Sequence, residues 1–294
     1  MRHDQRIART GFGLAEFDTA DTRLSLRDWN LARSGAAGAS RYVAQVQSPG
    51  TGFALRLRCD TTQPVLPQGD NGWSRKGPDP EQASLYYSQP QLAAQGQVQL
   101  DGRQISVRGR AWLDHEWSDS LLDAQAVGWD WIGMNLHDGS ALTAFRLRRA
   151  DGSALYAGGS FRRPGAAQRT EAIERPQAAA LRRPPQGPRR GPFVALGAKE
   201  TWGGPAFPCE TVHFKPLRWW TSPQSAARYP VHWALETASG RFEVRALLDD
   251  QELDSRASTG AIYWEGLSEL LDAAGQRIGL GYLEMTGYAA ALRL

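Results

Sequence analysis

Two cysteines in 294 residues leave little room for thiol chemistry. Cys59 and Cys209 stand 150 residues apart in no metal-binding spacing, which leaves open a disulfide, two buried thiols or two spectators. No stretch approaches the roughly eighteen apolar residues of a membrane-spanning helix. The opening, MRHDQRIARTGFGLAEF, has no apolar run long enough for a secretory leader. Also missing are a Gly-x-Ser-x-Gly elbow, a Gly-x-Gly-x-x-Gly loop after a strand, a Walker loop and a Cys-x-x-Cys pair. The usual serine hydrolases, dinucleotide enzymes and phosphate-loop enzymes lose support, and no cofactor is expected. Charge of one sign is scarce too: 34 basic against 31 acidic residues give +3. The stretch from Arg162 to Gly191 carries eight arginines and two glutamates, a net +6, so the rest of the chain is slightly acidic. That removes a general electrostatic case for a nucleic-acid partner.

What is plentiful is turn and aromatic material, with Gly 31, Pro 17 and Trp 11 beside a hydrophobic content of 41%. This balance points to sheets rather than helix bundles. In GFALRLRC, Phe53, Leu55 and Leu57 share one face and Arg56 and Arg58 take the other. QVQLDGRQISV turns at Asp101-Gly102, and WIGMNLHDGSALTAFRLRRADGSALY turns at Asp138-Gly139 and Asp151-Gly152, the strongest short-range hairpin signal. VHWALETASGRFEVRALL and the run from Ile262 to Tyr288, turning near Ala274-Gly275, continue the meander. Antiparallel strands with one apolar face must close or stack to hide their edges, so the expectation is an all-β protein built from up-and-down barrels. A short helix is expected near Leu121 to Val127, capped by Asp119 or Ser120. The segment from about Phe161 to Cys209, with RRPPQGPRRGP at its centre, reads as an extended or disordered insertion; a basic patch for an acidic partner or membrane surface is the sharper alternative.

Arg110 to Gly133 is the densest stretch, with five carboxylates, a histidine and four tryptophans. Alternation puts Asp114 and Glu116 on one face of the strand and His115 and Trp117 on the other. Trp129-Asp130-Trp131 repeats the pattern, indoles on one side and the carboxylate on the other. Core packing with rim ion pairs is one reading. The other is an aromatic-lined pocket where an acid and a histidine protonate an apolar substrate and stabilise a cation. A metal site is not expected, because Asp-His-Glu is consecutive and adjacent strand residues diverge. Tyr86-Tyr87, Trp219-Trp220 and Tyr263-Trp264-Glu265 are the remaining aromatic clusters.

The chain resembles the AttH and carotenoid 1,2-hydratase (CrtC) family of lipocalin-like proteins. The pieces that carry the likeness are YYSQPQL at 86–92, WLDHEWS at 112–118, AVGWDWIGMNLHDGSAL at 126–142, PLRWW, YPVHW, DQEL, YWEG and GYLEMTGY, in order through most of the sequence. The resemblance implies two tandem lipocalin-like (calycin) antiparallel barrels. The first, 1–120, would be partial, since relatives carry a further segment before the point where this sequence begins. The second, 121–294, would hold the Pro/Arg-rich insertion at about 161–209. It also implies an exported or periplasmic location.

Relatives include hydratases of acyclic carotenoids, pericyclases and proteins encoded beside ABC transporters, so the family leaves the activity open. In the hydratases the essential residues resemble His115 and Trp117. A Tyr and an Asp on a following strand are absent from LTAFRLRR here, which leaves Asp114, Glu116 or Asp130 to supply the proton. The expected activity is cofactor-independent hydration of a lipophilic polyene or isoprenoid. In it, His115 orients water or shuttles a proton, a carboxylate among Asp114, Glu116 and Asp130 donates, and Trp117, Trp129, Trp131, Tyr263 and Trp264 contact the ligand. The alternative is a non-catalytic carrier of an apolar ligand, accessory to an ABC transporter.

Overall fold

In a computed structural model, residues 3–119, 122–165, 206–207 and 211–292 are described. Nine strands form a first antiparallel sheet: β1 (Ala15–Phe17), β2 (Arg23–Leu26), β3 (Trp29–Ser34), β4 (Arg41–Ser48), β5 (Phe53–Asp60), β6 (Leu66–Pro67), β7 (Trp73–Arg75), β8 (Ala83–Leu100) and β9 (Arg103–Trp117). Ten more form a second: β10 (Gly128–Leu136), β11 (Ala141–Arg148), β12 (Ala154–Arg162), β13 (Ala206–Phe207), β14 (His213–Thr221), β15 (Arg228–Thr237), β16 (Gly240–Ala246), β17 (Glu252–Ser255), β18 (Ala261–Leu271) and β19 (Arg277–Thr286). This is the all-β, tandem lipocalin-like architecture that the resemblance implies. The Asp-Gly pairs at 101, 138 and 151 lie in the turns between successive strands; Asp101 and Gly102 both have positive φ, the requirement of a two-residue hairpin.

The second sheet is an up-and-down meander in which the last strand, β19, returns to pair with the first, β10. It curls until strands from both of its ends share one core, with Leu142 and Ala157 meeting Phe214, Val231 and Trp233. The first sheet buries far less. Tyr42, Cys59 and Leu92 form its small core, with Leu31, Leu57, Ala94, Ala111 and Leu113 partly covered. Burial pushes the Cys59 thiol up; its suggested partner Cys209 lies outside the described residues, as does the central part of the Pro/Arg-rich insertion.

The expected helix near Leu121 to Val127 is not formed over its described part. Residues 122–127 are a turn in which the Asp123 side chain accepts from the Gln125 N–H (2.8 Å) and its carbonyl from Ala126 (2.9 Å). Seven residues repay little of the cost of nucleating a helix, and an Asp that folds its own backbone takes the turn instead.

The sheets meet through buried polar groups. A bulge in β8 between Gln89 and Leu92 puts Gln91 in the left-handed region and turns its amide toward the second sheet, where it donates to the carbonyls of Leu136 (2.9 Å) and Ser140 (2.8 Å). Its own N–H donates to Asn135. Gln68 donates to Thr143 (3.1 Å), and Arg162 to the Pro64 carbonyl (2.7 Å). Gln91→Leu strips two buried hydrogen bonds and is expected to cost about 2 kcal/mol in urea unfolding. An unchanged midpoint would show that Gln91 does not hold the junction.

Candidate functional site

β9 pairs only with β8 among the described residues, so its free edge runs beside the outer face of the second sheet. Along β9, Trp112, Asp114 and Glu116 project toward that face, beside Tyr86, Ser88 and Ser84 of β8. From the second sheet, Trp129 and Trp131 of β10, Glu284 and Tyr282 of β19 and Glu265 of β18 stand in register on the outer face. The result is a cleft-like seam in which β9 faces β10, β19 and β18 of the second sheet.

Trp112 and Trp131 meet edge to face at 6.4 Å. Gly133 makes this possible, since a Cβ there would collide with both rings. Each indole N–H is spent on a polar partner: Trp112 donates to Asp114 (2.9 Å), Trp129 to Glu284 (2.8 Å) and Trp131 to the Tyr86 hydroxyl (3.2 Å). Ser88 donates to Asp114 and Ser84 to Glu116. Lys76 pairs with Glu116 (2.7 Å) and lies over the rings of Tyr86 (4.7 Å) and Phe145 (4.5 Å).

The electrostatics follow from crowding carboxylates beside indoles. Burial, together with the charge of Glu265 and those of Asp114 and Glu116, pushes the Glu284 carboxyl up to about 7, against the Trp129 hydrogen bond. Asp114 opens to solvent along the strand edge, yet protein crowds its carboxyl, and that burial raises it against the pull of Ser88 and Trp112. Glu265 is also raised by burial, while Tyr282 donates to it (3.1 Å). Burial lowers the Lys76 ammonium and Glu116 opposes it. The cleft therefore sets a carboxyl able to hold a proton near neutrality beside an ion-paired carboxylate, the arrangement of an acid and a base.

The residues singled out from the sequence do not all share this site. Asp114, Glu116, Trp129 and Trp131 come together in it, and Tyr263 stands on the same outer face of β18 as Glu265. His115 and Trp117 lie on the opposite face of β9. There His115 Nδ1 hydrogen-bonds the Tyr87 hydroxyl (2.9 Å) and its ring lies 4.9 Å from Trp117, beside the apolar side of the first sheet. The His115 imidazole is exposed rather than buried. Asp130 points into the second sheet and is fully buried, bound by Arg146 (2.7 Å), Arg148 (3.2 Å) and the Tyr288 hydroxyl (2.8 Å). Trp264 is likewise in that core, donating to the Asp249 carbonyl (2.7 Å).

Sequence reasoning missed Glu284, Lys76 and Trp112, and singled out Tyr86 only as part of an aromatic cluster. A signal for Glu284 exists: in GYLEMTGY, Leu283 and Met285 are core residues, so the acid between them must face out.

The profile of the AttH-like family matches residues 1–190 and 203–288. The chain belongs to the AttH-like family. The solved structure of a protein described as an AttH from Nitrosomonas europaea is 39% identical with a TM-score of 0.78, covering 98% of this chain and 77% of its own. Kievitone hydratase from Nectria haematococca shares the fold at 12% identity, with a TM-score of 0.55 over 92% of this chain and 85% of its own. Among curated proteins, no sequence matches this one. The family pieces DHEW, GWDW, YWEG and GYLEMTGY are the ones that meet in the cleft, through Asp114 and Glu116, Trp129 and Trp131, Glu265, and Glu284.

A carboxyl raised on folding binds its proton more tightly in the native state, so its charged form opposes folding. Stability tied to Glu284 is intact below its ordinary value of 4.5 and is lost as pH rises toward about 7. Glu284→Gln, neutral at all pH, should gain roughly 2 kcal/mol over the parent by about pH 8 and nothing near pH 4. Parallel urea-stability curves across pH would contradict the assignment.

Proposed function

We propose that this AttH-family protein is a cofactor-independent hydratase-type lyase for a lipophilic, unsaturated substrate such as an acyclic carotenoid or other isoprenoid, acting in the cleft between the sheets. The observation that carries the reading is the Glu284 carboxyl, raised to about 7 and set against Trp129, with Asp114 and Glu116 facing it from the other sheet. Glu284 gives its proton to one alkene carbon. The cation on the other carbon is held by the indoles of Trp112 and Trp131. Water adds to that carbon and loses its proton to Asp114 or Glu116, and proton return to Glu284 closes the cycle with one water added to the double bond.

This reading moves the donor from the carboxylates named from sequence to Glu284, makes Asp114 or Glu116 the acceptor and leaves Asp130 to the core. His115 and Trp117 then serve the apolar face of the first sheet. A carrier, accessory to an ABC transporter, is the second reading. What favours it is that same partly open face, where Leu31, Leu57, Ala94 and Leu113 lie alongside His115 and Tyr87.

The test is incubation with lycopene in detergent, with mass spectrometry of product and of retained ligand. Addition of water is expected, with Glu284→Gln lowering kcat by about a hundredfold or more and His115→Ala by less than about tenfold. Stoichiometric retention without product would replace the enzyme by the carrier. The reverse ranking of the two variants would move the chemistry to the His115 face.

A further inference from the structure

The first sheet carries an ordered block of charge that starts beside Trp112, on the same face, and runs toward the Asp101-Gly102 hairpin. The register places Arg41, Asp60, Ala93 and Arg110 in one row across β4, β5, β8 and β9, and Val43, Arg58, Gln95 and Arg108 in the next. The two rows beyond contribute Arg56 and are otherwise mostly glutamines such as Gln97 and Gln99. All point to the same side, since alternate residues of each strand share a face. Four strands by four rows span about 14 by 20 Å.

Charge on this face is one-sided. Asp60 takes both Arg41 (2.6 Å) and Arg58 (2.9 Å), and Arg56, Arg108 and Arg110 stand exposed without a carboxylate partner among the described residues. By contrast, Arg218, Arg241 and Arg245 of the second sheet, and Arg256 beside it, each have an acidic partner. Leu100 and Ile105, beside the Asp101-Gly102 turn, are 44% and 46% exposed on the opposite face, away from the arginines.

We propose that this face docks on an anionic lipid bilayer, with the arginines against phosphate headgroups. Guanidinium groups bind phosphate oxygens through paired N–H donors, and several weak contacts to a planar array of anions act together. An aromatic-free surface argues for a headgroup layer over single-stranded nucleic acid, whose bases need rings to stack on; the four rows hold no aromatic residue. The proposal stands apart from the chemistry of the cleft.

Sedimentation of the purified protein with vesicles tests it. Binding is expected to vesicles of equal parts phosphatidylglycerol and phosphatidylcholine at low salt, to weaken as salt rises, and to be absent with phosphatidylcholine alone. Arg56→Gln/Arg108→Gln/Arg110→Gln should lower partitioning more than about tenfold with an unchanged circular dichroism spectrum, whereas Leu100→Ser/Ile105→Ser, on the opposite face, should bind as the parent does. Arg241→Gln/Arg256→Gln, at the second sheet, should also bind as the parent does. Failure to sediment with anionic vesicles, or undiminished binding by the triple variant, would overturn the proposal. So would tighter binding of a duplex oligonucleotide that the triple variant loses.

Discussion

The edge-to-face contact of Trp112 with Trp131 over the bare Cα of Gly133 sets how close the two sheets come, and the rest of the cleft depends on that approach. A side chain at Gly133 would push β9 off the outer face of the second sheet. Asp114 and Glu116 would then leave the neighbourhood of Glu284, and with them much of the field that raises its carboxyl. The hydrogen bonds of Gln68, Gln91 and Arg162 fix the same approach from the other end of the junction. Such a buried polar interface is directional, so it fixes orientation where apolar packing alone tolerates sliding.

Two kinds of buried acid illustrate how the same residue type is put to different ends. Asp130 has two arginines and a tyrosine around it and works as a clamp on the end of the second core. Glu284 has a single indole donor and like charges for neighbours, so its proton is held rather than discarded. The first arrangement ties strands together, and the second holds a proton that can be exchanged. Chemistry is therefore assigned to the acid whose partners leave it unsettled, and structure to the acid whose partners do not.

Period-two alternation and the Asp-Gly turns made the strands legible, and they placed His115 and Trp117 opposite Asp114 and Glu116 before any coordinates. They could not show which face meets another sheet. That depends on β19 returning to β10, which brings Glu284 to Trp129 across 155 residues of chain. No local pattern encodes such a pairing, so alternation could turn Glu284 outward but not bring it to Trp129, while Asp130, adjacent in sequence to both indoles, drew attention. The misplaced helix at 121–127 has the same origin: an Asp beside apolar residues suits a cap or a turn, and the strand that follows at once decides between them.

The central claim is that residues from both sheets converge to leave the Glu284 carboxyl titrating near neutrality. The direct measurement is carbon-detected NMR titration of protein labelled at the glutamate side-chain carboxyl. The account predicts one glutamate resonance with a midpoint at about 7, absent in Glu284→Gln and shifted to lower pH in Glu265→Gln. A spectrum in which every glutamate titrates in the ordinary carboxylate range would contradict it.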